Sequence, residues 1–519
     1  MKVKKLLAGV LALTLLAVQP VQIACAVDEA AVDQGTEGMT AEEQEQAAID
    51  QAAAEKQAAY DTPPDTNQLK GWAAGPQVYA DSAIVMDMKS GAILYAKKAD
   101  EKHFPASITK LLTVLVALEN AELTDKVTFT QDSVDFLNWD DAHIGMTPGE
   151  ELTLEDALHA VLLASANEVS YAVAESVGKT RLHGDYQTFI DLMNTRAKEL
   201  GCTGSHWVNP NGLHDEEHYT TAHDMALIAS AVYQQPEFRK IMETLEYRIP
   251  PTNLVNEERV FQQNHKMLWP ENFYYSEYCK GGKTGYTDQS GTTLVTMEDN
   301  GTLQLAAVVL HDYGADAYTD TQAMFDYAFQ NFTKVPVTQL KETEEVKEVK
   351  EFIPEEAYVV LPNGANPQEV SSKLQMQNDK DGKVVYTYEG QVVGTATVEV
   401  KEDEVKVSAT EKEQEKESDW KPGLGRIITI VVGGVVILGV VFFLIQYSRY
   451  KKRQERLRRM RKKKAAQARR MREERERARS MQDPYQDPRM NRRQNTRYDH
   501  NQDPRQNGGQ NVQRRPRKR

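Results

Sequence analysis

The chain has 519 residues, enough for two or three domains of ordinary size, and a formal net charge of −15. Residues 449–519 hold 27 Lys/Arg against 8 Asp/Glu, net +19, which leaves 35 against 69, net −34, in the other 448: an acidic body with a basic tail. Three cysteines, Cys25, Cys202 and Cys279, are too few for a disulfide scaffold, and no CxxC or close His spacing argues for a cysteine metal site, although one Cys202–Cys279 bridge stays open.

Lys2, Lys4 and Lys5 followed by the apolar stretch 6–18 and Ala24-Cys25-Ala26 read as a secretory signal peptide, residues 1–26. A lipidated Cys25 is the weaker reading, because Gln22 stands where a lipobox wants Leu or Val. Residues 27–68, rich in Ala, Gln, Glu and Asp without an apolar stripe, predict an acidic disordered leader. Strand-like runs at 78–80 and 83–87 and a returning one at 92–95, joined by a turn at Lys89-Ser90-Gly91, predict a hairpin. Apolar residues at 108, 111, 112, 115 and 118 predict a helix, and further helices are expected from Thr153 (an N-cap) to Leu163, over 168–177 and over 189–200. Strands return at 292–297 and 303–310 around Asn300-Gly301, and 321–332 closes a mixed α/β domain as a helix. Lys341 to Glu351 suits a linker or an edge strand. Residues 336–410 predict a small all-β domain, 411–426 a charged spacer, and Ile427 to Gln446 a transmembrane helix. The basic cluster after it sets the tail, 447–519, inside the cell and residues 27–426 outside. The far end of the tail reads as disordered.

Three motifs carry the chemistry. In Ser107-Ile108-Thr109-Lys110 the three-residue spacing brings a hydroxyl and an amine to one helix face, and a lysine whose pKa is lowered can take the serine proton. Ser-x-x-Lys also occurs at Ser176, Ser418 and Ser448, so the motif alone is weak. Ser165-Ala166-Asn167 is the one Ser-x-Asn; alone it reads as a helix-capping turn. Lys283-Thr284-Gly285, also unique, suits carboxylate binding, and its spacing does not fit a phosphate loop.

Together and in this order the three resemble the signature of penicillin-recognising serine enzymes. Phe104 to Thr113, Asn209-Pro210-Asn211-Gly212-Leu213, His218 to Ala226 and Lys283 to Thr287 resemble the D-Ala-D-Ala carboxypeptidase family over about residues 75–335. The resemblance implies a bacterial α/β fold of the serine β-lactamase/DD-peptidase type, with a catalytic domain at 69–335. It implies that Ser107 is the nucleophile, Lys110 the general base, and Ser165, Asn167 and Lys283 further catalytic groups. Lys283, Thr284, Gly285 and Thr287 would bind the substrate carboxylate, and the N–H groups of Ser107 and Tyr286 would form the oxyanion hole. Peptidoglycan stem peptides would be the substrate and β-lactams the inhibitors, with no cofactor and no metal.

Three departures stand out. Ala317-Tyr318-Thr319-Asp320 lacks the Arg that relatives often carry before the Asp. Ala166 replaces a usual Gly. Most relatives end in an amphipathic helix rather than a span with a basic tail. A β-lactamase is disfavoured because no Glu-x-x-Leu-Asn pentad is found. An endopeptidase or transpeptidase on cross-links stays open, as does a non-catalytic wall-binding scaffold, which the intact motifs disfavour. The tail suits anionic lipid headgroups better than nucleic acid. The sequence does not give the oligomeric state.

Overall fold

The structure is a computed structural model that describes residues 41–376 and 381–399. The expected signal peptide, residues 27–40, the spacer, the 427–446 span and the tail lie outside the described residues. Among the described residues no helix is long and apolar enough to cross a membrane.

The chain begins with α1 (Ala41–Asp61), then forms the hairpin β1 (Ser82–Asp87) and β2 (Ile93–Lys97). A helical region follows: α2 (Lys110–Asn120), β3 (Lys126–Thr128), α3 (Asp132–Asp135), β4 (Glu151–Thr153), α4 (Leu154–Leu163), α5 (Asn167–Thr180), α6 (Tyr186–Glu199), α7 (Ala222–Tyr233) and α8 (Pro236–Met242). After the small pair β5 (Glu246–Ile249) and β6 (Arg259–Gln262), the chain returns to the main sheet as β7 (Cys279–Thr287), β8 (Gly291–Asp299) and β9 (Gln304–Asp312), capped by α9 (Asp316–Asn331).

The sheet order is β2-β1-β9-β8-β7, antiparallel throughout, with Ile84 opposite Val308 and Val295 opposite Val308 on the other side. Alternate residues point to opposite faces. Ile84, Met86, Ala306 and Val308 join the helical core around α2, α4, α5 and α7, while Ala83, Val85, Leu305 and Val309 pack under Met324, Phe325 and Ala328 of α9. Because both faces are covered, β1 is buried along its whole length and reads as an unbroken apolar run rather than as alternation. Helix α2 is buried on every side from Lys110 to Ala117, which makes it the axis of the helical region.

Local signals explain several boundaries. Thr153 accepts from Asp156 N and starts α4. Asp185 and Thr188 form a reciprocal capping box at α6. Gly301, at φ +84°, turns β8 into β9.

Three expectations need correction. The leader was expected to be disordered through residue 68, but 41–61 is α1. Its side chains support a helix through Gln46–Asp50, Gln51–Glu55 and Gln57–Asp61 pairs four residues apart. Its end is docked: buried Lys97 donates to Ala59 O (2.7 Å), Val78 O (2.9 Å) and Ala80 O (2.6 Å), Lys56 pairs with Asp316, and Tyr60 packs on Tyr79. Tertiary contacts supply what the missing apolar stripe does not.

The charged stretch 341–351 contains neither an edge strand nor a plain linker but α10 (Glu344–Val349), whose Val346 and Val349 are buried. The region expected to be all-β therefore mixes this helix with β10 (Phe332–Pro336), β11 (Tyr358–Pro362), β12 (Ser371–Met376), β13 (Asp381–Tyr388) and β14 (Gln391–Glu399). It begins at Phe332, directly after α9, and rests on the first hairpin: Tyr358 Oη donates to Asp87 (2.9 Å) and Thr395 N to Ser90 O (2.6 Å). Finally, Cys202 and Cys279 are both free and buried, in different cores, so the open disulfide does not form.

Candidate active site

The site is built where the edge strand β7 meets the start of α2. Pro105 leads into a 3-10 turn, Ala106–Thr109, that runs straight into the helix. Ala106 holds φ +50°, a left-handed conformation that a side chain disfavours. Its surroundings impose it. Thr109 Oγ1 donates to Ala106 O (2.8 Å), and Thr293 Oγ1 donates to Pro105 O (2.9 Å). Buried His218 accepts from Val208 N at Nδ1 (3.1 Å), which assigns its proton to Nε2; Nε2 then donates to Thr109 Oγ1 (2.8 Å). Burial pushes the His218 pKa down to about 3, so the ring stays neutral in this role.

This turn leaves Ser107 partly exposed and Lys110 fully buried. Lys110 Nζ lies 2.9 Å from Ser107 Oγ, 2.7 Å from Asn167 Oδ1 and 2.7 Å from Asn211 O. A neutral amine here can donate two protons to Asn167 and Asn211 and turn its lone pair to the Ser107 hydroxyl. Burial, and after it the positive charge of Lys283, holds the Lys110 pKa well below the ordinary lysine range, against the opposing pull of Glu168 and Asp141. Burial alone pushes Lys283 down to about 7.

Ser165 sits in the turn between α4 and α5 at φ +60° and is 7% exposed. The turn is fastened by Asn167 N donating to Ala142 O (2.8 Å), and Asn167 opens α5. The N-cap of α5 is Ala166 and no side chain of the motif caps the helix, so the capping reading is not borne out.

On β7, Lys283 is 1% exposed and donates to Thr284 O (2.8 Å). Gly285 is required by proximity: a Cβ there would stand 2.8 Å from Ser107 N. Tyr286 is 67% exposed, and Thr287 donates to Ser290 Oγ (2.9 Å). The structure thus ties Ser107, Lys110 and Asn167 by direct hydrogen bonds and draws Gly285 against the Ser107 turn. Ala317–Asp320, the stretch expected to hold an Arg before the Asp, lies in α9 without one, and Asp320 is committed to Tyr79 N (2.5 Å) and Ala80 N (3.2 Å).

Sequence reasoning missed several contributors. Asn211 acts through its backbone carbonyl, to which side-chain motifs are blind. Gly212, at φ +84°, lies where any Cβ would overlap the Ala106 carbonyl. Glu168 is fully buried beside Asn167, accepts from Ile144 N (2.7 Å), and is raised above its ordinary pKa by burial. The signal available was the Asn209–Leu213 stretch itself, quoted for resemblance without a role.

The Ser107 turn, the buried Lys110 of lowered pKa bonded to it, and the edge strand with Lys283-Thr284-Gly285 come together in one site. The chain resembles several known proteins. Residues 70–314 match the family model described as D-alanyl-D-alanine carboxypeptidase. The chain is 28% identical over 372 residues to D-alanyl-D-alanine carboxypeptidase DacF of Bacillus subtilis, covering 66% of this chain and 90% of that one. It is 31% identical over 276 residues to DacC of Escherichia coli, covering 50% and 64%. The solved DD-transpeptidase of Streptomyces K15 is 24% identical, with a TM-score of 0.46, over 50% of this chain and all of that one. Over residues 70–314 the chain is similar to the D-alanyl-D-alanine carboxypeptidase family, whose named relatives point to a serine-type hydrolase.

Proposed function

We propose that this enzyme removes the terminal D-Ala from peptidoglycan stem peptides through an acyl-enzyme on Ser107. The reading is carried by one observation: the Lys110 amine, with its pKa held low, lies 2.9 Å from Ser107 Oγ and is fixed by Asn167 and Asn211. Lys110 takes the Ser107 proton as Oγ attacks the carbonyl between the two D-alanines. The C–N bond breaks, and the leaving amine of D-Ala receives a proton by way of Ser165 and Lys283. Backbone N–H groups of Ser107 and Tyr286 hold the oxyanion, a contribution of about 3 kcal/mol in comparable sites. Lys283, Thr284 and Thr287 hold the terminal carboxylate, Gly285 lets the strand lie close, and water then releases the acyl group. Penicillin enters the same path and acylates Ser107.

The enzyme works outside the cell in wall biogenesis and the control of cell shape. The 1–26 segment directs export, the 427–446 run crosses the membrane once, and the cytoplasmic tail meets anionic lipid; the support is the sequence pattern alone.

The test is D-Ala release from diacetyl-Lys-D-Ala-D-Ala by the full chain in detergent, beside Ser107→Ala. Release that disappears in the variant supports the reading. No release from the wild type, together with labelling of Ser107 by fluorescent penicillin, would transfer the activity to cross-linked peptides. No labelling would leave a wall-binding scaffold.

A further inference from the structure

Away from Ser107, a cleft of about 540 Å³ opens between the segment leading into β7 and the outer side of α9. We propose that this cleft binds a neutral, N-acetylated glycan strand of the cell wall, the polymer that carries the stem peptides; the inference rests on the carboxypeptidase reading above.

The lining has the two chemistries a pyranose ring needs. Tyr275 and Tyr278 are each 42% exposed, and Tyr278 meets Phe329 edge-on with centroids 6.0 Å apart. These are aromatic surfaces wide enough to cover the C–H face of a sugar. Around them stand Glu298, Asp326 and Gln322, planar groups suited to hydroxyls and acetamides. Gln322 is held in place by donating to Tyr274 O (3.1 Å). Glu298 is 3% exposed, and burial pushes its carboxyl up to about 7, so near neutral pH it both donates and accepts. The volume falls within the range of small-molecule sites, about 300–1,000 Å³.

Charge chooses among wall polymers. Glu277 and Asp326 line the cleft beside Glu298. They repel a polyphosphate chain and tolerate an uncharged sugar. The apolar surface is broken by acidic groups at each turn, which does not suit a protein partner's hydrophobic core.

Position connects the cleft to the enzyme's work. Tyr278 immediately precedes β7, and Lys283 lies five residues further along the same strand, about 16 Å away at the usual strand rise. A glycan seated here would keep the enzyme on the polymer while the edge of β7 processes one stem peptide after another.

The probe is tetra-N-acetylchitotetraose, titrated calorimetrically into the full chain in detergent, with Tyr278→Ala and Tyr275→Ala beside the wild type. Both tyrosines are exposed, so the variants are expected to fold, and D-Ala release from the sugar-free diacetyl-Lys-D-Ala-D-Ala should be unchanged in them. The expected result is saturable wild-type binding that weakens by about tenfold or more in each variant. No saturable wild-type binding, equal binding by Tyr278→Ala, or equal affinity for polyglycerol phosphate would overturn the proposal. Failure of D-Ala release by the wild type would instead count against the carboxypeptidase reading and leave the sugar titration to be judged separately.

Discussion

Gly212 and Ala106 touch through their backbones: Gly212, at φ +84°, leaves no room for a Cβ beside the Ala106 carbonyl, and Ala106 is itself held at φ +50°. Each residue's unusual conformation supports the other's, and the pair sets the direction of Ser107. Gly212→Ala should cost about 1–3 kcal/mol from backbone strain alone, with further loss from the overlap. Denaturant unfolding would measure the stability, and the penicillin acylation rate should fall in the still-folded fraction. Unchanged acylation would mean the turn does not need this support.

The two buried lysines predict a pH signature. Lys110 must be neutral to accept a proton, so acylation falls as pH drops through its lowered pKa. The Lys283 charge contributes to that lowering, second to burial. Lys283→Gln removes it, raises the Lys110 pKa, and should move the acid limb of acylation to higher pH. An acid limb that stays in place would assign it to another group.

Lys283 also predicts a gain in stability. Folding lowers its pKa to about 7 from an ordinary 10.5, so the folded state binds fewer protons and stability rises with pH between those values. Lys283→Met should therefore raise Tm most near neutral pH, with the advantage shrinking toward the ordinary lysine range. A Tm gain independent of pH would point to packing instead.

Glu150 and Arg259 fasten the loop beside the site. Fully buried Glu150 accepts from Arg259 Nη2 (3.0 Å), Thr252 Oγ1 (2.7 Å) and Thr147 N (3.0 Å), and Arg259 reaches Ile144 O (3.1 Å). Burial pushes the Glu150 carboxyl up, but hydrogen bonds from Arg259 and Thr252 outweigh it and hold the pKa below the ordinary value. Arg259→Met should destabilise by about 3 kcal/mol, because it strands a buried charge. The Glu150 contribution is present above its unfolded pKa and is lost as pH falls through the folded one. The gap between variant and wild type should thus narrow in acid, which urea titrations at two pH values would test.

Asp312 and Asp320 form a buried carboxyl pair at the end of β9 and the start of α9. Burial raises both pKa values; the Asp320 charge raises Asp312 further, whereas the hydrogen bond from Asp312 favours ionised Asp320. One shared proton satisfies both, so their contribution is full below the unfolded carboxyl pKa and is lost as pH rises through the folded values. Asp312→Asn should raise Tm in mild alkali and leave it nearly unchanged in acid, as followed by thermal melts.

The elements with their own local signals were legible in the sequence. The 3.6-residue period around Leu111 and Leu115, the Thr153 cap and the Asn300-Gly301 turn all lie where the structure has them. Helices α1 and α10 were not, because polar sequences of this kind become ordered only through docking, at Ala59 and at Val346 and Val349. The candidate site divides in the same way. Ser107, Lys110 and Asn167 could be named only because three short motifs, each weak alone, occur together in an order that resembles a known family. The Asn211 carbonyl and the Gly212–Ala106 contact depend on chain segments about a hundred residues apart, which periodicity does not connect.

Strand β7 has β8 as its single neighbour in the sheet order. An open strand edge is ordinarily a hazard, since it can recruit any extended chain. Here that open edge carries Lys283-Thr284-Gly285, and an extended peptide laid along it would be read through main-chain hydrogen bonds. Recognition of this kind responds to the handedness and free end of the incoming chain far more than to its side chains. An enzyme that reads its substrate in this way would tolerate variation in the interior of the peptide while remaining strict about the terminus.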